Sequence, residues 1–290
     1  MAEITVERND VAVVIGPTRP TVVIGERINP TGKDWLKQAL QAEDWDVVAK
    51  LARDQVDAGA RIIDVNVAMP GVREVDVLPR AVEVVQRAVE TPLCLDSDNA
   101  EALAAALSVC DGTVIINSVT GNEDKLDAIL PLARDCGAAI IGLPMDRDSG
   151  IPKTAEARLE IAARIRDAVE AAGINPDKLI VDCLTLAVSA DESMGLVALE
   201  TMRRVSTELG LNINMGVSNV SFGLPERPLL NSTFIAMACA AGLTCAIVNP
   251  SSTPVMSALL AADVLLGRDR HARAFLRDYR SRRAEIGSGA

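Results

Sequence analysis

Residues 61–66 read Arg-Ile-Ile-Asp-Val-Asn, a short apolar run that ends in a carboxylate and a carboxamide. The pattern recurs, because the apolar runs 93–96 and 179–182 also end in aspartate. Buried strands of parallel sheets are nearly continuous apolar runs, and side chains at their carboxyl ends share one rim. The pattern therefore predicts a parallel α/β fold with a polar site where the strands end.

Eight such strands are predicted, with amphipathic stretches of helical spacing between them. The predicted strands span residues 21–25, 61–66, 93–96, 113–117, 138–143, 179–182, 212–217 and 245–249. Eight β-α units predict a single-domain (β/α)8 TIM barrel over residues 21–285, preceded by an N-terminal extension or hairpin at residues 1–20. The main alternative is a doubly wound open sheet, but no G-x-G-x-x-G follows the first strand.

Composition narrows the class of protein. The chain has 290 residues, 49% of them hydrophobic but only 2% aromatic, and a formal net charge of −11. An acidic surface disfavours nonspecific nucleic-acid binding, and the most apolar stretch, 234–248, is too short to span a membrane. The six cysteines form no C-x-x-C pair, and the first residues show no basic and apolar leader. We therefore expect reduced cysteines and a cytoplasmic protein that binds neither membrane nor nucleic acid.

Six polar residues at predicted strand ends are expected to meet at the C-terminal rim of the barrel. They are Asp64, Asn66, Asp96, Asn117, Asp182 and Asn219. A strand-end Asp or Asn commonly caps the next helix or closes a turn, which is the simpler interpretation of any one of them. Together, carboxylates and carboxamides suit a flat ligand rich in N–H and C=O groups.

The single histidine, His271, restricts the possible chemistry. It lies in a helical pattern near the C terminus, where it is expected at the surface or at a helix end. The scarcity of histidine argues against a Ser-His-Asp triad, a zinc deaminase site and a metal site with two histidines. No metal site is predicted.

Sequence motifs in a fixed order resemble those of a known family. They are Gly25-Glu26-Arg27-Ile28-Asn29, Asp64-Val65-Asn66, Leu95-Asp96-Ser97, Ile116-Asn117-Ser118, Gly150-Ile151-Pro152, Gly216-Val217-Ser218-Asn219-Val220-Ser221 and Arg227-Pro228-Leu229-Leu230-Asn231-Ser232-Thr233-Phe234. This series resembles the methyltetrahydrofolate:corrinoid-protein methyltransferases. These are pterin-binding barrels related to the folate module of cobalamin-dependent methionine synthase and to dihydropteroate synthase. The resemblance covers residues 21–280.

The resemblance implies a role for each matching position. Asp96, Asn117 and Asp182 are expected to hold the pterin ring, since carboxylates accept N–H bonds and carboxamides both donate and accept. Asn219 matches the residue that reaches the pterin N5. Asp64, Asn66 and Ser218 lie on the same rim and are expected to support the pocket. The family usually has proline after the aspartate at position 182, whereas this chain has Cys183.

The implied reaction moves a methyl group between N5 of 5-methyltetrahydrofolate or tetrahydrofolate and the cobalt of a corrinoid. Asn219 and Asp96 are the expected catalytic residues, acting with a water, because an ordinary Asp of pKa about 3.9 is a poor acid at neutral pH. No Asp-x-His-x-x-Gly motif is present, so the cobalamin is expected on a partner corrinoid protein. A homodimer is expected from the related barrels. Both directions of methyl transfer are open.

Three alternatives remain at this stage. A dihydropteroate-synthase-like enzyme would need a basic residue near strand seven and Arg-x-His after strand eight, and residues 218–223 and 249–252 offer neither. A non-catalytic folate-binding barrel would bind folate without using a corrinoid acceptor. A barrel enzyme of another kind would not bind a pterin.

Overall fold

The strands and helices alternate along most of the chain. The computed structural model describes residues 2–288, and the elements below are those of this range. The strands are β1 (Ile4–Arg8), β2 (Val11–Ile15), β3 (Val22–Ile28), β4 (Ile62–Val65), β5 (Leu93–Asp96), β6 (Ile115–Thr120), β7 (Ala139–Leu143), β8 (Leu179–Asp182), β9 (Asn212–Asn214) and β10 (Cys245–Val248). The helices are α1 (Asp34–Gln41), α2 (Trp45–Asp57), α3 (Glu74–Ala88), α4 (Ala100–Leu107), α5 (Glu123–Cys136), α6 (Ala155–Ala171), α7 (Met194–Arg204), α8 (Arg227–Ala240), α9 (Thr253–Leu265) and α10 (Arg273–Ser288).

The eight strands β3 to β10 form one parallel sheet that curls into a barrel. Each strand pairs with the next in sequence, and β10 pairs with β3. Between β9 and β10 the ladder reduces to a bridge between Gly216 and Ile247 and to hydrogen bonds such as Ile247 N to Met215 O, at 2.9 Å. The barrel is therefore nearly closed. The predicted (β/α)8 barrel is confirmed, and the doubly wound sheet is excluded.

Local sequence explains most element boundaries. Asn99 caps α4, because its side chain accepts hydrogen bonds from the N–H groups of Glu101 and Ala102 in the first turn. Gly137 ends α5 with a φ of +67°, a conformation that glycine adopts without strain. β9 is shorter than predicted, because residues 217–219 turn into a 3-10 helix. The short α1 was not predicted; it has eight residues and buries only Leu36 and Leu40.

The β1–β2 hairpin packs against the amino-terminal end of the barrel. Its buried side chains Ile4, Val6, Val13 and Ile15 join the core inside the barrel. Each contributes on the order of 1.5–3 kcal/mol of burial free energy. Arg8 extends the contact by donating to the carbonyl of Gln86 at 2.7 Å, near the C-terminus of α3. The hairpin therefore covers one end of the barrel and leaves the carboxyl end open; the division of the chain at residue 21 stays a prediction.

Candidate functional site

Side-chain alternation along the strands places polar groups inside the open end of the barrel. Successive side chains of a strand point to opposite faces. The interior-facing residues of the lower layer are Ile62, Cys94, Ile115 and Ile180. Two positions further along the same strands are Asp64, Asp96, Asn117 and Asp182. The same parity that buries the apolar layer thus directs these four polar side chains into the barrel mouth.

The Asp64 carboxyl is the most deeply buried of these groups. It is 2% exposed, and its oxygens accept a hydrogen bond from Asn117 Nδ2 at 3.3 Å and contact the Cys94 thiol. Burial, followed by the nearby Asp96, raises the pKa of Asp64 well above its usual range. Burial therefore favours the protonated form of Asp64, which can serve as a hydrogen-bond donor.

Asp96 lies beside Asn117 on the neighbouring strand, since the two residues are register partners of β5 and β6. The Asn66 side chain hydrogen-bonds the Asp96 carboxylate, while Asn66 Oδ1 also accepts from Ala68 N in a local turn. Burial raises the pKa of Asp96 to about 6, against the effect of Asn66. Asn66 is not among the residues that line the cavity in the barrel mouth, and the contact given for it there is with Asp96.

The Asp182 carboxylate is held by a side chain of β9 and by a backbone N–H in the loop after β8. Its Oδ1 accepts from Leu184 N at 2.9 Å, and its Oδ2 accepts from Asn214 Nδ2 at 2.7 Å. Burial raises the pKa of Asp182 to about 6, against these hydrogen bonds. Asn214, which is fully buried, was not among the predicted site residues, although the alternation Asn212-Ile213-Asn214 places it in the interior.

Arg158 fixes the loop that follows Asp182. This side chain of α6 is fully buried and donates to the carbonyl oxygens of Pro152, Cys183 and Leu184 at 2.8–2.9 Å. Leu184 has a φ of +53°, in the left-handed region that non-glycine residues rarely adopt. Arg158 thus stabilises the backbone conformation that directs Leu184 N toward Asp182, and it places a positive charge near that carboxylate.

We expect Arg158→Lys to lower the free energy of unfolding by about 2 kcal/mol, because the ammonium cannot span three separate carbonyl oxygens. Urea unfolding measures this change. Arg166→Lys on the same helix is the control, since Arg166 pairs only with its neighbour Asp167. A loss at position 158 no larger than that of the control would show that the three hydrogen bonds contribute little.

A second prediction concerns Asp64. Between the unfolded pKa of about 4 and its raised folded value, the folded state binds one more proton than the unfolded state, so stability falls as pH rises through this window. Asp64→Asn removes that dependence. We expect the variant to be more stable than wild type by about 1 kcal/mol or more at pH 8, with the difference shrinking toward pH 4.

Urea unfolding at several pH values measures this difference, and the exposed Asp127→Asn serves as the control. A difference between Asp64→Asn and wild type that does not vary between pH 4 and pH 8 would contradict the assignment of a protonated Asp64.

The loop after β9, residues 215–226, forms the wall opposite these carboxyl groups. Ser218 and Asn219 lie in its 3-10 turn, and Arg227 Nη2 holds the turn by donating to Ser218 O at 2.8 Å. A Cβ at Gly216 would lie 3.2 Å from Asn219 Nδ2, so glycine leaves room for the Asn219 amide. Asn219 itself is exposed. It is therefore placed to move against a ligand held below it.

These groups enclose a cavity of about 380 Å³, which we call the mouth cavity. Its walls are Glu26, Asn29, Thr31, Lys33, Asp64, Asp96, Asn117, Ser118, Leu143, Asp182, Gly216, Ser218, Asn219 and Ile247. Six of the seven site residues predicted from sequence line it, with Asn66 as the exception. Glu26 lies near the end of β3, and Thr31 and Lys33 lie in the loop that follows it. The sequence offered only the motif around Glu26.

The motifs and the barrel can now be compared with known proteins. The family model described as pterin binding enzyme matches residues 25–249. The chain belongs to the pterin-binding enzyme family. The segment matched runs from the end of β3 to the end of β10 and so includes every residue of the predicted site. The resemblance found in the sequence is confirmed at the level of this family.

Individual relatives of this pterin-binding barrel fall into three groups. The methylcorrinoid:tetrahydrofolate methyltransferase of Eubacterium limosum is 32% identical over 264 residues, covering 89% of this chain and 96% of that protein. The methionine synthase of Mycobacterium leprae is 32% identical over 250 residues, covering 80% of this chain but 20% of that protein. The dihydropteroate synthase structure from Xanthomonas albilineans aligns with a TM-score of 0.69 at 18% identity, covering 91% and 98% of the two chains, which shows a shared fold.

Two features are absent from the part of the pterin-binding barrel that the structure describes. No group of three or more His, Cys, Asp and Glu side chains is arranged to hold a metal ion. None of the helices found there has both the length and the apolar character needed to cross a membrane.

Proposed function

We propose that this chain transfers a methyl group between N5 of tetrahydrofolate and the cobalt of a corrinoid carried by a partner protein. The observation that carries the proposal is the convergence of Asp96, Asn117 and Asp182 in one cavity, with Asn219 on the wall above them. The relative of similar length, at 32% identity, is named for methylcorrinoid and tetrahydrofolate. Identity over nearly the whole of both chains supports the same class of reaction here.

The mouth cavity offers a hydrogen-bond pattern that matches a pterin edge. Ionised Asp96 or Asp182 accepts two N–H bonds, and the Asn117 amide both donates and accepts. Asp64, whose protonated form is favoured by burial, adds a donor for a ring carbonyl. The site therefore orients a flat 2-amino-4-oxo heterocycle by its edge and leaves the opposite edge, which carries N5, toward Asn219.

Transfer from the folate breaks the N5–methyl bond and forms a cobalt–methyl bond, with two electrons supplied by Co(I). The bonding pair stays on N5, which leaves as a neutral amine only if a proton reaches it. An asparagine supplies no net proton. Asn219 instead accepts a hydrogen bond from protonated N5, and Asp96 with a water relays the proton.

The corrinoid is a substrate that a partner protein brings to the barrel mouth. The chain's one histidine, His271, lies after α9 and therefore beyond the opposite end of the barrel. Exposed apolar side chains border the mouth instead: Trp35 on α1, Leu196 in the first turn of α7 and Phe222 in the loop after β9. Large exposed apolar side chains are typical of a surface that a partner covers.

Spectroscopy tests the reaction directly. Free Co(I) cobalamin and 5-methyltetrahydrofolate are mixed with the protein under anaerobic conditions. Loss of the Co(I) absorption with formation of methylcobalamin is the expected result. Folate binding without this change would favour the non-catalytic barrel, and formation of dihydropteroate from a dihydropterin pyrophosphate and 4-aminobenzoate would favour the synthase-like alternative.

We also propose that the chain forms a homodimer through α8, α9 and α10. Large apolar side chains are exposed on or directly after these helices, among them Met237, Leu265, Leu266, Leu276 and Tyr279. Leu265→Asp is expected to convert the dimer to a monomer, because a charge would be buried at the interface. Light scattering after gel filtration measures the mass, with Leu196→Asp at the barrel mouth as control. A dimer that survives Leu265→Asp would require another face.

A cytoplasmic location is likewise a proposal. All six cysteines are free in the structure, and Cys94, Cys183, Cys239 and Cys245 are buried. Burial without disulfides is typical of proteins in a reducing compartment.

A further inference from the structure

Asn214 is a carboxamide buried inside the barrel, next to the carboxyl groups of the mouth cavity. It is fully buried in β9, and its register partner on β8 is Asp182. Burying an amide is unfavourable unless its N–H and C=O groups find hydrogen-bond partners. Both groups of the Asn214 side chain have such a partner, and one of these partners is Asp182.

The hydrogen bonds of Asn214 join three neighbouring strands. Its Nδ2 donates to Asp182 Oδ2 at 2.7 Å, and its Oδ1 accepts from the Cys245 thiol of β10 at 3.7 Å. The thiol therefore holds the oxygen side of the amide and leaves the N–H side for Asp182. These contacts cross the place where the ladder between β9 and β10 is reduced to a bridge.

The Asp182 carboxylate is held from both of its oxygens. Leu184 N donates to Oδ1 at 2.9 Å, Asn214 donates to Oδ2, and the Gly216 N–H also bonds the carboxylate. Donors on both oxygens fix the rotation of the carboxylate plane. A carboxylate has about four lone-pair positions, so acceptor capacity remains for a ligand in the mouth cavity, whose wall includes Asp182.

Asn214 also favours the ionised form of Asp182. Burial raises the pKa of Asp182 to about 6, and the hydrogen bonds from Leu184 N and Asn214 oppose that rise. Three other titratable groups of the described chain lie close to Asp182, namely Arg158 on α6, Cys183 directly after β8 and Cys245 on β10. Burial raises the pKa of both thiols, so they stay neutral, while the Arg158 charge favours the carboxylate. Loss of the Asn214 donor would therefore raise the pKa of Asp182 further.

We propose that Asn214 is a positioning residue that fixes the orientation and the negative charge of Asp182, and so determines the pH range in which the chain binds tetrahydrofolate. This inference rests on the proposed function, in which ionised Asp182 accepts N–H groups of the pterin edge. Asn214 is fully buried and is not on the wall of the mouth cavity, so it acts through Asp182 rather than on the ligand.

Anaerobic calorimetry with tetrahydrofolate between pH 5 and pH 9 tests the proposal. Asn214→Val removes the donor and keeps a buried side chain of similar size. Its affinity should fall several-fold at pH 7, and the pH of half-maximal affinity should rise relative to wild type. The difference should shrink at pH 9, where Asp182 is ionised in both proteins. Cys245→Ala, which removes the thiol that orients the amide, should shift the profile in the same direction by a smaller amount.

The control is Asn212→Val, two residues earlier on the same strand. Asn212 is also buried, but its Nδ2 donates to Ala2 O at 2.9 Å, at the amino-terminal end of the barrel. This variant should leave the pH of half-maximal affinity unchanged. An unchanged profile in both Asn214→Val and Cys245→Ala, or an equal shift in the control, would overturn the inference.

Urea unfolding at pH 5 and pH 8 gives a second test that needs no ligand. The folded pKa of Asp182 exceeds the unfolded value of about 4, so its contribution to stability is lost as pH rises through the folded value. Asn214→Val should therefore destabilise the protein more at pH 8 than at pH 5. In an Asp182→Asn background its cost should not depend on pH.

A cost of Asn214→Val that is equal at the two pH values in the wild-type background would contradict the control of Asp182 by Asn214. Failure of the wild-type protein to bind tetrahydrofolate at any pH would overturn the proposed function instead, and the unfolding experiment would still decide whether Asn214 controls the charge of Asp182.

Discussion

Asn219→Ala is expected to slow methyl transfer from 5-methyltetrahydrofolate on the order of a hundredfold or more, while the folate dissociation constant changes only a few-fold. The Asn219 side chain is exposed in the 3-10 turn after β9, and its amide lies against Gly216. We therefore expect Asn219 to contribute little to holding the pterin edge, which we propose the buried carboxyl groups contact.

The physical reason is that Asn219 acts where charge changes. N5 carries little charge in the bound substrate and becomes protonated as the methyl leaves. The Asn219 carbonyl oxygen can accept a hydrogen bond from the N–H that forms there, and the bound substrate offers no such donor, so loss of Asn219 lowers kcat.

Stopped-flow measurement of Co(I) consumption gives the rate, and calorimetry gives the affinity. Asn175→Ala is the matched control, because Asn175 precedes β8 and so lies at the opposite end of the barrel. If binding and turnover fell by the same factor, Asn219 would be a ground-state ligand, and its proposed role in the transition state would be wrong.

Asp96→Asn is expected to weaken folate binding by about two to three orders of magnitude. The substitution keeps the shape of the side chain but replaces one acceptor oxygen with an N–H donor. That donor would face the N–H groups of the pterin edge, so two charge-assisted hydrogen bonds are lost and a repulsive contact is gained. Calorimetry with tetrahydrofolate measures the change.

The variant should nevertheless fold. Burial raises the pKa of Asp96 to about 6, which means that its ionised form costs free energy in the folded protein, and the neutral amide removes that cost. Asp98→Asn is the control, since Asp98 is an exposed neighbour that pairs with Lys125. Unchanged folate affinity in Asp96→Asn would remove Asp96 from the pocket.

The same carboxyl groups predict a pH dependence of binding. Asp96 and Asp182, each with a pKa of about 6, are mostly ionised at pH 7 and mostly protonated at pH 5. Folate affinity should therefore fall as the pH drops through 6, because a protonated carboxyl loses acceptor capacity.

The sequence alone determined the barrel, because each strand carries its own signal. An apolar run ending at Asp96 or Asp182 records both the burial of the strand and the position where it leaves the core. The alternation along the strand then determines which end residues face inward, which is why most of the predicted site residues line the mouth cavity. Asn66 follows the same parity but lies beyond β4, where a local turn takes up its carbonyl oxygen.

Tertiary structure alone decided the rest, because those features depend on residues that no local pattern connects. In the sequence, Arg158 is one residue of an ordinary amphipathic helix. Only when α6 packs against β8 can it donate to the carbonyl oxygens of the loop after Asp182. Arg27 lies in β3, Lys33 in the loop after it and Arg227 at the start of α8, and these residues line one cavity only because the barrel closes between β10 and β3. The spacing of residues along a strand determines which side chains point into the barrel. Whether charged side chains from different elements meet depends on the closure of the barrel.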